Sequence, residues 1–172
     1  MKIILETDRI ILRPWKHSDV DAYHKIIDNP LVYKYLTIDH LTLEEAEIKI
    51  QKRIKEQNDH GFCLWAMILK ENNKLIGHCG LLYICDTKDI EIGYTLSPDQ
   101  WGKRLATEAA KATLDYGFNT LKIETILGLV FPENTRSKHV LENIGMRFIG
   151  ATDKYYGISG LLLYEAKLIN IY

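Results

Sequence analysis

The chain has 172 residues, a length suited to one core, and its 47% hydrophobic and 26% charged residues form no low-complexity tract, which excludes a disordered or fibrous chain. With 22 Lys plus Arg against 23 Asp plus Glu the net charge is −1, so no global basic field awaits a phosphate backbone and nucleic acid is not an expected partner. Lys2, Glu6, Asp8 and Arg9 interrupt the first apolar residues and no later segment approaches the roughly 20 apolar residues of a membrane span, so the expectation is a cytoplasmic protein folded as a single domain over 1–172.

In chain order, Arg9-Ile-Ile-Leu-Arg13 before Pro14 reads as a short strand, and Ser18-Asp-Val-Asp21 has the cap-plus-acid form that opens a helix with Val20, Tyr23 and Ile27 on one face. Asn29-Pro30 ends it. Thr42-Leu-Glu-Glu45 is a capping box followed by Ala46, Ile50 and Ile54, which predicts a helix to about Asn58. Phe62–Leu69 and Leu75–Ile84, joined by a polar turn, predict a β-hairpin, and Asp89–Leu96 a third strand stopped by Ser97-Pro98. Leu105, Ala109, Ala112 and Tyr116 recur at helical spacing. Glu124–Phe131 predicts a strand, Asn134–Ile144 a helix ended by Gly145, and Arg147–Tyr155 and Leu161–Ile169 two last strands. Helices interleaved unevenly with strands imply an α/β chain with a mixed sheet flanked by helices, not a doubly wound parallel one.

Cys63, Cys79 and Cys85 are odd in number and lack CxxC spacing, so they are expected to be reduced and mostly in the core, and no metal site is expected. No GxSxG elbow, GxGxxG, Walker loop or HExxH occurs, and the six histidines form no close helical pair.

The most informative stretch is Glu91-Ile-Gly-Tyr-Thr-Leu-Ser-Pro-Asp-Gln-Trp-Gly-Lys-Arg-Leu-Ala-Thr-Glu-Ala109. A strand leads through a compact turn into a helix N-terminus, where backbone N–H groups lack partners and the helix dipole is positive, an arrangement suited to an anion. Lys103 and Arg104 add charge there, so a phosphate or pyrophosphate is the natural guest.

The run Trp101-Gly-Lys-Arg-Leu-Ala-Thr-Glu-Ala109 resembles the pyrophosphate loop of the GNAT acetyltransferases, whose pattern is Gln or Arg, two residues, Gly, any residue, then Gly or Ala. Ala106 matches the last position; Trp101 stands where Gln or Arg is general, and Arg104 where the central Gly is expected. Asn134-Thr-Arg-Ser-Lys-His-Val-Leu-Glu-Asn-Ile-Gly-Met146 resembles the Asn-x-x-Ser helix of the same enzymes. Thr7-Asp-Arg-Ile-Ile-Leu-Arg-Pro14, Asp19 and Asn29-Pro-Leu-Val-Tyr-Lys-Tyr35 look like the opening of the branch that acetylates N-termini of ribosomal proteins.

The resemblance implies a mostly antiparallel sheet with splayed central strands and acetyl-CoA as cofactor, its pantetheine arm beside Tyr94, Thr95 and Leu96. Its pyrophosphate would sit on Gly102, Lys103, Arg104, Leu105, Ala106 and Thr107 after Trp101, with Asn134 and Ser137 flanking the arm. Without a glycine's freedom, Arg104 is expected in ordinary helical angles, its guanidinium either gripping a phosphate oxygen or facing solvent. Asn134 is expected both to cap its helix and to bind.

Direct attack of an amine on a thioester needs a base, an oxyanion site and help for the departing thiolate. Glu91 is the candidate base, with His78 a minor one that reads chiefly as structural. Backbone N–H groups near Gly93 and Tyr94 would meet the oxyanion, although Tyr94 also reads as packing. Many GNAT enzymes carry a tyrosine late in the last helix as proton donor to the thiolate. Counted back from Gly145, that position is Leu141 here, so Ser137 becomes the substitute, as a hydrogen-bond relay. The expected acceptor is a protein N-terminal α-amine; a small amine such as a polyamine, aminoglycoside or amino-acid analogue stays open, as does a non-catalytic acyl-CoA binding module. Monomer and homodimer are both compatible with the sequence.

Overall fold

The strand and helix assignments come from a computed structural model that describes residues 2–36 and 40–168. In order they are β1 (Leu5–Glu6), β2 (Ile10–Arg13), α1 (Val20–Ile27), α2 (Pro30–Tyr33), α3 (Leu43–His60), β3 (Leu64–Leu69), β4 (Lys74–Tyr83), β5 (Ile90–Leu96), α4 (Leu105–Asn119), β6 (Thr125–Val130), α5 (Thr135–Asn143), β7 (Arg147–Thr152) and β8 (Leu161–Lys167). The expected strand end at Ile169 lies outside the described residues. No helix among the described residues is long and apolar enough to cross a membrane.

Local chemistry sets the boundaries. Thr42 Oγ1 accepts from the Glu45 N–H at 3.2 Å while the Glu45 carboxylate accepts from the Thr42 N–H at 2.8 Å, which closes the capping box of α3. That helix runs two residues beyond Asn58 because its stop is Gly61 at φ +80°. Asn29 does more than end α1. Its Oδ1 accepts from the Leu31 N–H at 3.0 Å, and Pro30 follows at the first helical position, so the dipeptide also starts α2. At Ser18–Asp21 a single 3-10 turn over His17–Asp19 precedes α1; the Asp19 carboxylate accepts from the Lys16 N–H at 2.9 Å and also takes the Arg13 guanidinium in a fork at 2.7 and 2.8 Å.

Among the described residues the sheet has eight strands in the order β1-β2-β3-β4-β5-β6-β8-β7, antiparallel throughout except where β5 meets β6. All six residues of β3 are buried, as in a strand covered on both faces. Neighbouring residues of β4 identify the faces. Cys79 Sγ lies 3.4 Å from Thr113 Oγ1 of α4, whereas the next side chain, His78, packs 6.1 Å from the Tyr23 ring of α1. Register then carries the faces onto β5. Tyr94 pairs with Cys79 and points to the α4 side; Thr95 pairs with His78 and Glu91 with Leu82, so both point to the α1 side.

The β5–β6 contact is short. Only Glu91 and Leu127 are in register, while β6 and β8 keep six registered pairs. Beyond Glu91 the two strands splay apart, and the β6-facing edge of Gly93–Leu96 has no strand partner.

Candidate active site

Beyond the splay, Pro98–Gln100 makes one 3-10 turn, Gly102 takes φ +76°, and Arg104 takes φ +60° immediately before α4. The expectation of helical angles at Arg104 is therefore corrected: the residue takes the left-handed backbone that glycine adopts without strain. For an L-residue that conformation costs about 1–2 kcal/mol. Its geometry turns the chain into α4, whose first turn is closed by Glu108 N–H on Arg104 C=O at 3.1 Å. The N–H groups of Leu105, Ala106 and Thr107 are left pointing out of the helix end.

The loop is braced from behind by the N-terminal motif. Glu108 accepts from Thr7 Oγ1 at 2.6 Å, from the Arg9 N–H at 3.0 Å and from Arg9 Nε at 2.7 Å, and Arg9 Nη1 donates to the Lys103 carbonyl at 3.1 Å. Burial raises and these donors together more than offset it, so the Glu108 carboxyl is held below its ordinary range.

A cleft of about 430 Å³ opens along the splay and the loop. Every expected cofactor residue except Lys103 lines it: Tyr94, Thr95 and Leu96, then Trp101, Gly102, Arg104, Leu105, Ala106 and Thr107, then Asn134 and Ser137. Lys103 instead turns its ammonium to Gln100 Oε1 at 3.0 Å. Trp101 ties the loop to β5 through an indole N–H donated to the Leu96 carbonyl at 3.0 Å, and the Arg136 guanidinium lies over its ring at 4.5 Å. A cation thus stands beside the position where the family pattern has Gln or Arg. These features fit a coenzyme A ester: unpaired strand edge for an amide-bearing arm, free N–H groups and two arginines for phosphates.

At the far wall, Asn134 Oδ1 caps α5 by accepting from the Ser137 N–H at 3.2 Å. The Tyr94 hydroxyl crosses the gap to Ser137, 2.8 Å from Oγ and 3.0 Å from the carbonyl. Leu141, where a proton-donating tyrosine would stand, is 1% exposed and packs on Gly128.

On the other face Glu91 is buried, and its Oε2 accepts from the Tyr156 hydroxyl. Burial pushes this carboxyl up to about 7, with the hydrogen bonds from Tyr156 and the Leu129 backbone opposing the rise. His78 is sandwiched near Trp15 and Tyr23, and burial, then Arg53 and Lys49, push its imidazole down to about 3. Among the described residues no cluster of three or more His, Cys, Asp or Glu could hold a metal ion.

Several site residues escaped the sequence reading. Leu31 and Val32 of α2, with Tyr35 and Leu36 just after it, close the cleft; the Asn29–Tyr35 motif contains three of them, but nothing in its spacing places them on the cleft. Arg136 sits inside the Asn134 motif but at an unspecified position. Tyr156 is reached only through tertiary structure, 65 residues from Glu91.

The chain matches the model of the acetyltransferase (GNAT) domain over residues 9–147. An uncharacterized N-acetyltransferase, p20, of Bacillus licheniformis is 33% identical over 162 residues, 92% of this chain and 90% of that protein. Spermidine N(1)-acetyltransferase of Escherichia coli is 26% identical over 151 residues, 87% of this chain and 78% of the other. Among solved structures, a GNAT-family acetyltransferase from Bacillus anthracis superposes with TM-score 0.82 at 29% identity, covering 95% of this chain and 97% of that one. RimL, a ribosomal L7/L12 α-N-protein acetyltransferase in complex with coenzyme A, has TM-score 0.79 at 19% identity, with 97% and 98% covered. The chain belongs to the GNAT acetyltransferases, enzymes that transfer an acetyl group from acetyl-CoA.

Proposed function

We propose that this enzyme acetylates the α-amine of a protein or peptide N-terminus, with Glu91 as the base. One observation carries the reading: Glu91 is buried on the α1 face at the single registered pair of β5 and β6, where the splay begins. Tyr94 and Ser137 stand on the opposite face. A base on one side of the opening and a hydroxyl pair on the other suit an amine entering from the α1 face and a thiol leaving on the α4 face.

Acetyl-CoA, when bound, supplies the thioester carbonyl that the amine attacks. Leu105, Ala106 and Thr107 N–H groups, Arg104 and Arg136 serve the phosphates, and Trp101 holds the loop in place. The unpaired edge of Gly93–Leu96 takes the arm and offers N–H groups to the developing oxyanion. Glu91 receives the ammonium proton, and Ser137, backed by Tyr94, relays a proton toward the thiolate. His78, pushed down to about 3, is too weak a base near pH 7 to compete.

A Glu91 carboxyl near 7 supports the α-amine over a lysine-like amine. An α-amine with a reference value near 8 costs about 1.4 kcal/mol to deprotonate with such a base, whereas a lysine-like amine near 10.4 costs about 4.6 kcal/mol. Charge points the same way. Lys49 and Arg53 of α3 lower His78 from the α1 face, and Arg53 is paired with Glu56 at 2.9 Å, so among the described residues no unpaired acidic cluster there invites a polycation such as the spermidine named for the E. coli relative.

The test is thiol release with mass analysis on a matched panel: peptides with a free N-terminus, the same peptides N-terminally blocked but bearing lysine, and spermidine. Acetylation of the free N-termini with at least tenfold higher kcat/KM supports the proposal. Preference for spermidine or lysine would overturn it.

A further inference from the structure

Tyr156 belongs to neither the cofactor loop nor the family motifs, yet among the described residues it is the one side chain whose hydroxyl is placed on the Glu91 carboxylate. It sits in the connection between β7 and β8 with φ +59°, a left-handed backbone that costs a tyrosine about 1–2 kcal/mol. The connection is fastened at several points that together hold this conformation. The Gly160 N–H donates to Asp153 Oδ1 at 2.7 Å, the Ile158 N–H to the Tyr155 carbonyl at 3.2 Å, and both Lys154 Nζ and the Tyr155 hydroxyl donate to Asp89 Oδ2, at 2.7 and 2.9 Å. Asp89 stands just before β5 and Glu91 is its second residue, so the loop is fastened to the same strand on either side of Ile90. Tyr155 buries its ring against Ile84 and Leu127, with Tyr156 packed beside them.

We propose that Tyr156 is a positioning residue for the base: its hydroxyl, held by the anchored β7–β8 connection, fixes one oxygen of the Glu91 carboxylate and favours the ionised form that accepts the amine proton. This rests on the assignment of Glu91 as base. A buried carboxylate without a donor would reorient or stay protonated, because burial disfavours the charge. The phenol opposes that penalty without giving up its own proton, since burial first and then Glu91 drive the Tyr156 hydroxyl well above its ordinary range. Few other groups face the pair. Arg53 of α3 and Cys85 in the turn after β4 act on Tyr156, and Tyr94 on β5 feels Glu91. The reaction balances: the ammonium loses one proton to the Glu91 carboxylate, the neutral amine attacks the thioester carbonyl, the C–S bond breaks as coenzyme A leaves as thiolate, the nitrogen's remaining surplus proton passes to that thiolate, and Tyr156 remains protonated throughout.

The experiment compares kcat/KM against pH for wild type, Tyr156→Phe and Glu91→Gln, using the best free-N-terminal peptide or other amine acceptor. Acetyl-CoA affinity and circular dichroism check the fold. Phenylalanine keeps the ring and its packing and removes only the donor, so the acidic limb of the profile moves to higher pH. The loss is roughly 3- to 10-fold at pH 6 and negligible at pH 9. A parallel titration of carboxyl-labelled glutamate by carbon NMR reads the same displacement without turnover: the Glu91 signal titrates at higher pH in Tyr156→Phe. A Tyr156→Phe profile superimposable on wild type, with Glu91→Gln keeping only the rise set by the amine's own ionisation near about pH 8, would overturn the positioning role and leave the base in place. A Glu91→Gln profile with the same limb near pH 7 as wild type would remove the base assignment, and this proposal with it.

Discussion

The Tyr94 hydroxyl spans the opening between β5 and β6 to lie 2.8 Å from Ser137 Oγ, joining a strand residue to one 43 positions later on α5. Rotation of the two hydroxyls interchanges two patterns. In one, Tyr94 donates to the Ser137 carbonyl at 3.0 Å and Ser137 donates to Tyr94; in the other, Tyr94 donates to Ser137 Oγ and frees the serine proton for the cleft. A serine alone is a very weak acid, so the proposed relay would need the pair as a unit.

Ser137→Ala is therefore expected to lower turnover on the order of 10²-fold, with acetyl-CoA affinity nearly unchanged. Raising the pH will not rescue it, whereas an acetyl thioester with a more acidic leaving thiol will. Tyr94→Phe added to Ser137→Ala should cost little more, because both act through one relay; a double-mutant cycle of the turnover numbers checks this. Additive losses would show two separate roles.

Arg104 combines a strained backbone with a charge in the cleft. Arg104→Ala keeps the positive φ and removes the guanidinium, so acetyl-CoA binding should weaken by about 1–3 kcal/mol in calorimetry. Arg104→Gly relieves the left-handed penalty and should fall between the two in affinity. Alanine binding as tightly as wild type would place the guanidinium in solvent.

Much of this arrangement was legible in the sequence because it is local. The capping box at Thr42, the cap at Asn134, the strand–turn–helix around Trp101 and the alternation along β5 each follow from residues a few positions apart. Arg104 was misread because an arginine ordinarily takes helical angles, while here the turn into α4, with Arg9 holding the Lys103 carbonyl, requires the left-handed conformation. Asp19 holds the Lys16 N–H as a local cap would, but its pairing with the Arg13 guanidinium, six residues away, is not written in the spacing. Tyr156 was invisible because only the folding of the β7–β8 connection brings it to Glu91, and nothing in the spacing encodes that.

Glu91 also has a consequence for stability. Its carboxyl is raised in the folded chain, from an ordinary 4.5 to about 7. A raised value means that the folded state binds the proton more tightly than the unfolded one. The associated stability is present in full below pH 4 and is lost as pH rises through 7, by up to about 3 kcal/mol. Glu91→Gln, which cannot ionise, should therefore be more stable than wild type at pH 8 and indistinguishable from it near pH 4. Denaturant melts at the two pH values measure the difference, and an equal effect at both would show that folding does not raise the carboxyl.

The central claim, that Glu91 takes the proton from an attacking α-amine, is tested most directly by the turnover of Glu91→Gln with saturating acetyl-CoA and the preferred free-N-terminal acceptor between pH 6.5 and 9.5. The account predicts a loss of roughly 10²- to 10⁴-fold near pH 7, with cofactor affinity unchanged, that shrinks as pH rises and the amine arrives already neutral. Turnover within about twofold of wild type across that range would contradict it, and catalysis would then rest on positioning and the backbone oxyanion site alone.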